Sequence, residues 1–143
     1  GRSLRNIIDL KKISGYQFLI DCDVIEADGG TRTVSINGAY IALGLAVKKF
    51  IDGGVLVENP IKDFLGAISC GILDGEIFVD LDYKEDSRAD VDANFVFTKN
   101  SGIAEIQISA EKNTFNQDST VKMISYCQKA VGKIFKLQKK IIG

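Results

Sequence analysis

The chain contains no histidine. Serine–histidine and cysteine–histidine catalysis are therefore excluded, as is any metal site built on imidazole. Cysteine is scarce as well: Cys22, Cys70 and Cys127 lie far apart in a chain of 143 residues. An odd number with no close pair argues against a disulfide framework or a zinc knuckle. Each falls in an apolar segment, where a buried free thiol is expected, and this usage suits a reducing cytoplasm. No apolar run approaches the roughly 18 residues of a membrane span, and no signal peptide is visible, so no membrane partner is expected. The formal net charge is only −1, which argues against binding nucleic acid by charge alone, because such domains are usually clearly basic. Gly1 is the first residue and Met123 the only methionine. Either an initiator and more have been removed, or the chain is a piece of something longer.

What is present suits one globular domain over residues 1–143, with 45% hydrophobic and 26% charged residues. A chain of this length buries roughly 68–70% of its unfolded surface. Leu4, Ile7 and Ile8 sit at helical spacing in a short N-terminal helix. In "GYQFLIDCDVIEA", Phe18, Ile20, Cys22 and Val24 alternate with polar residues, which predicts a strand with one buried face. Ser35 to Ile51 reads as a largely buried helix stopped at Asp52 to Gly54. The single proline, Pro60, sits in a connector. Phe64–Leu73 and Glu76–Asp82, joined by Asp74-Gly75, form a hairpin candidate. Ala93–Thr98 and Ile103–Ala110, joined by "KNSG", form a second. Asp118 or Ser119 is placed to cap a last helix with Val121, Ile124, Cys127, Val131, Ile134 and Phe135 on its apolar face. The fold class is α/β (α+β), a mixed β-sheet packed with helices.

Two stretches carry chemistry. In "DGGTRT", Gly29 and Gly30 permit positive φ and close backbone approach. Thr31 and Arg32 then enter a helix whose first amides and dipole favour an anion, and the forked guanidinium matches phosphate oxygens. The bland alternative is a strand–helix turn with a surface arginine. In "DLDYKEDSRADVD", Asp80, Asp82, Glu85, Asp86, Asp90 and Asp92 face only Lys84 and Arg88. Oxygen ligands without histidine or cysteine point to Mg²⁺ or Mn²⁺, against the alternative of a solvated acidic loop. Together, a phosphate site and a carboxylate–cation site are the halves of phosphoryl-transfer chemistry.

"CDVIEADGGTRTVSINGAYIAL", "VDLDYKEDSRADVDANFVFT" and "AEIQISAE" resemble the ribonuclease PH family, and the resemblance runs from Gly1 to roughly Gln138. It implies a truncated ribonuclease PH-like fold (ribosomal protein S5 domain 2-like) and phosphorolysis of tRNA 3′ ends, with inorganic phosphate as co-substrate and a nucleoside diphosphate released. By resemblance, Gly30, Thr31 and Arg32 hold the phosphate. Asp86 and Asp92 match the family's paired aspartates, as catalytic residues and Mg²⁺ (or Mn²⁺) ligands, with Asp92 as acid and Asp86 on the metal. The family's N-terminal half, with a further phosphate-binding arginine, a basic tRNA-gripping surface and part of the sheet, is absent here. Ile108 to Lys112, "ISAEK", stand where the family reads "GTAEG". The implied partners are RNA and further copies in a homo-oligomeric ring. A non-catalytic ring subunit, an RNA-binding scaffold and an inactive remnant stand as alternatives.

Overall fold

The computed structural model describes residues 1–100 and 102–143; Ser101, in the "KNSG" loop, lies outside the described residues. In chain order it contains α1 (Arg2–Asn6), a 3-10 turn (Leu10–Ile13), α2 (Thr31–Asp52), β1 (Leu65–Leu73), β2 (Glu76–Val79), α3 (Tyr83–Asp86), β3 (Val91–Thr98), β4 (Gly102–Ala110) and α4 (Gln117–Ile142). The strands form one four-stranded sheet, ordered β2-β1-β3-β4, with every neighbouring pair antiparallel. This is the expected mixture of helices and sheet.

Period-2 alternation in β1 and β3 decides the layers. Ile68, Cys70, Ile72, Ala93, Phe95 and Phe97 project to one face and pack with Met123, Cys127 and Val131 of α4. Leu65, Ala67 and Val96 project to the other and pack with Ala39, Tyr40, Leu43 and Val47 of α2, joined by Leu4, Ile7 and Ile8 of the N-terminal segment. Close packing on the α4 side uses Gly66: a Cβ there would lie 2.6 Å from Val131 Cγ2. Both hairpins form. Asp74 (φ 52°) and Gly75 (φ 83°) make the tight turn between β1 and β2, but β2 ends at Val79 because Asp80 takes φ 65°.

Four expectations are corrected. Residues 16–27 form no strand and pair with none among the described residues. Phe18 packs on Phe50 at 5.7 Å between centroids, while Leu19 is 84% and Ile25 98% exposed. Alternation supplies the pattern of a strand, but a strand also needs a neighbour for its backbone groups. Second, α2 starts at Thr31 and buries one face rather than most of its surface, leaving Val34 and Leu45 exposed. Thr31–Asp52 is long and apolar enough by length and composition to cross a membrane, a test that a core helix also passes, and here Ala39, Tyr40, Leu43 and Val47 pack it on the sheet. Third, the α4 cap is Asn116, whose side chain accepts from the Ser119 amide, and Met123 rather than exposed Val121 lies in the core. Fourth, Cys70 and Cys127 are buried, but Cys22 is exposed, a consequence of the unpaired segment around it.

Candidate active site

The register places a polar row beneath the start of α2. On that face Gly71 pairs with Asp92 and Ser69 with Asn94. Across β3, Asp92 faces Ser109, Asn94 faces Gln107 and Val96 faces Glu105. Farther along, α2 is anchored by Asn37, whose Nδ2 donates to Ala67 O and whose Oδ1 accepts from Ala67 N, both at 2.8 Å. The helix N-terminus consequently lies over the Ser69 row.

Gly30 is the N-cap, with φ 70° and no side chain to cap the helix. The first helical bond runs from Val34 N to Gly30 O, so the Thr31, Arg32 and Thr33 amides have no intrahelical acceptor. The neighbouring hydroxyls do not fill that gap: Thr31 Oγ1 donates to Asp28 O and Thr33 Oγ1 to Gly30 O. Gly29 is tighter still, since a Cβ there would lie 1.9 Å from Leu81 O. One further bond fastens this turn to the acidic segment: the Tyr83 amide donates to Asp28 Oδ1 at 2.6 Å. The glycine pair serves both backbone geometry and close approach, as a ligand-cradling turn requires.

The acidic residues divide by environment. Asp82 and Glu85 form a capping box for α3. Asp90 organises the far end of the sheet, its carbonyl accepting from the Glu111 and Lys112 amides and its carboxylate from Asn113 Nδ2. Asp86 ends α3, and Asp92 lies half-buried in β3. Asn94 Nδ2 approaches Asp92 Oδ2 at 3.5 Å. Burial pushes the Asp92 carboxyl above the usual aspartate range, and the nearby charges of Asp86 and then Glu111 push it the same way. Asp86 and Asp92 are thus brought into electrostatic contact. Among the described residues, no group of three or more His, Cys, Asp or Glu side chains is arranged to hold a metal.

Arg32 is paired with Glu105 through Nη2 and Oε1, and Glu105 Oε2 accepts from Ser3 Oγ at 2.7 Å. The Ser3 bond holds the Glu105 carboxyl below its ordinary range; burial opposes this and the Arg32 charge reinforces it. A cleft of about 1120 Å³ runs beneath residues 16–22 and reaches Arg32 and Glu105, but neither Asp86 nor Asp92 lines it. Sequence reading missed Ser3, Glu105, Ser69 and Asn94. The last two left a trace, as polar residues inside "LGAISCGIL" and "VDANFVFT"; the Ser3–Glu105 contact joins residues 102 positions apart and left none.

Residues 63–130 match the model of the 3′ exoribonuclease family, domain 2. Over all 143 residues the chain is 46% identical to ribonuclease PH of Neisseria meningitidis serogroup C and to that of Neisseria gonorrhoeae, and it spans 59% of the length of those relatives. Among solved structures, rice (Oryza sativa) Rrp46 superposes with a TM-score of 0.65 and 20% identity, over 83% of this chain and 51% of that one, a likeness of fold. Residues 63–130 thus match the second domain of the 3′ exoribonuclease family, and along its whole length the chain is similar to a C-terminal part of ribonuclease PH.

Proposed function

We propose that this chain carries the phosphate seat and the acid–base carboxylates of a phosphate-dependent 3′-to-5′ exoribonuclease that trims tRNA 3′ ends in the cytoplasm. Residues 1–143 act as one domain, and copies of the intact protein form a ring. One observation carries the reading. The uncapped N-terminus of α2 lies over the sheet face that carries Asp92, and Asp28 fastens its turn to the first residue of α3, the short helix that ends at Asp86.

The amides after Gly30, with Thr31 and the Arg32 guanidinium, supply positive potential for inorganic phosphate. A phosphate oxygen attacks the last phosphodiester phosphorus, and the bond from phosphorus to the 3′ oxygen breaks. The nucleoside diphosphate leaves, and the 3′ oxygen of the shortened RNA takes a proton. Asp92 suits that donation, because its surroundings favour the protonated form. The two neighbouring carboxylates fit a hard divalent cation, Mg²⁺ or Mn²⁺, which is typically held by one or two carboxylates plus substrate phosphate oxygens. Asp86 would hold it beside the protonated Asp92, and it would neutralise charge on the transferring phosphoryl group.

The test is nucleoside diphosphate release from an RNA with a 3′ extension, in the presence of phosphate and Mg²⁺. It is run on this chain alone and on the chain joined to the part of its ribonuclease PH relatives that it does not span. Phosphate-dependent release should fall about 10²–10³-fold in Arg32→Ala and in Asp92→Asn. Release that ignores phosphate, or that survives both substitutions, would overturn the proposal. A non-catalytic ring subunit is favoured by one contact, the Arg32–Glu105 ion pair, which engages the arginine that the seat uses. Folded protein that binds RNA and releases nothing in either form would leave that second reading.

A further inference from the structure

One side chain beneath the seat has no role so far. Ser69 lies in the middle of β1, 3% exposed, and its Oγ has no hydrogen-bond partner among the described residues. Native folds rarely keep a buried hydroxyl unpaired, and a missing ion or ligand is one of the standard reasons for an exception. Its backbone is already occupied, since Ser69 O accepts from the Asp80 amide. The hydroxyl therefore contributes nothing to the sheet.

Its position gives it a use. A Cβ built on Gly30 would lie 3.0 Å from Ser69 Oγ and 3.3 Å from Thr33 Oγ1. The hydroxyl thus sits against the left-handed turn that opens α2, and only the missing Gly30 side chain keeps the approach clear. Its cross-strand partner is Asn94, 9% exposed, whose amide approaches Asp92 Oδ2. Ser69 therefore stands between the amide end of the face and the carboxylate end. A hydroxyl rotates freely about its C–O bond and moves between staggered χ1 positions.

We infer that Ser69 Oγ is a further donor of the anion seat, turning its proton to an oxygen of bound inorganic phosphate beside the amides that follow Gly30. The inference rests on the phosphate-seat reading above and adds a residue to it. It also gives Gly30 a second reason to lack a side chain: besides its positive φ, it must leave the hydroxyl uncovered. Loss of this donor weakens the complex without weakening the empty fold, because the proton has no partner there.

The experiment uses the full 143-residue chain and inorganic phosphate, titrated calorimetrically into wild type, Ser69→Ala and Arg32→Ala, with melting temperatures taken in the absence of phosphate. Ser69→Ala should bind phosphate about 3- to 10-fold more weakly, with a melting temperature equal to wild type or higher. Should Ser69→Ala not fold, Ser69→Cys, nearly isosteric and a weak donor, carries the same expectation. Affinity within twofold of wild type in the serine variants, alongside weakened Arg32→Ala, would overturn the role of Ser69 and leave the seat standing. Affinity and melting temperature falling together would make Ser69 structural and overturn it too. Arg32→Ala binding phosphate like wild type, or no binding by wild type, would sink the seat itself and this inference with it.

Discussion

At the scale of single residues, Asp92 carries a local cost beside its proposed use as an acid. Its carboxyl titrates above the usual aspartate value of 3.8 because burial, Asp86 and Glu111 all disfavour its charged form. Between that value and its own raised pKa, the native state holds more proton than the unfolded chain. Stability therefore falls as pH rises through that window and stays lower above it. Asp92→Asn, of the same size but uncharged, should melt higher than wild type at pH 7 by roughly 1–3 °C, since solvent screens part of the effect at a half-buried site. At a pH below the window, the two proteins should melt together. Scanning calorimetry at both pH values checks this; a variant that melts lower at pH 7 would show that the charge is already compensated. Asp86 and Asp92 were legible in the sequence as members of an acidic stretch. Which acids are structural was not, because the capping box at Asp82 and Glu85 and the loop bonds of Asp90 depend on where the backbone turns.

At the scale of elements, α2 does more than cover the sheet. Strand β2 pairs with β1 only from Cys70 to Leu73, leaving the earlier part of that edge of β1 without a neighbouring strand. The Asn37 amide fills the place of one strand residue by bonding both the amide and the carbonyl of Ala67. Asn37→Ala should cost about 2–3 kcal/mol, because it leaves a part-buried donor and acceptor unpaired. Urea denaturation measures it, and a loss under 0.5 kcal/mol would mean that water takes over both bonds. Sequence periodicity located both hairpins and both long helices, since turn chemistry and apolar spacing are local properties. It did not place the cap of α4 at Asn116, because Asn116, Asp118 and Ser119 are all competent caps and the packing of Met123 and Cys127 decides among them.

At the scale of the molecule, the two faces of the sheet have different occupations. The α4 face is closed by apolar side chains, with the Cys127 thiol pushed up by its hydrogen bond to Cys70 and by burial. The α2 face holds the polar row and the candidate site, and residues 16–27 form no strand, with Leu19, Val24 and Ile25 exposed. This asymmetry separates the cysteines. A thiol reagent such as Ellman's should titrate Cys22 rapidly, while Cys70 and Cys127 react only as fast as the chain opens. Cys22→Ser should remove the fast phase alone. Three fast thiols in the wild type would mean that the α4 face is not closed in solution.

The amino-acid sequence by itself determined the α/β class, the two hairpins, the glycine turn entering a helix and the acidic stretch, because turn type, periodicity and charge are written within a few residues of each other. Only the tertiary structure decided that Gly29 lies against Leu81, that Ser69 lies beneath Gly30, and that Arg32 meets a Glu105 held by Ser3. These are contacts between segments far apart in the chain, fixed by strand register and helix placement. It also left residues 16–27 without a partner strand among the described residues, because alternation makes a strand possible and only a neighbouring strand completes it.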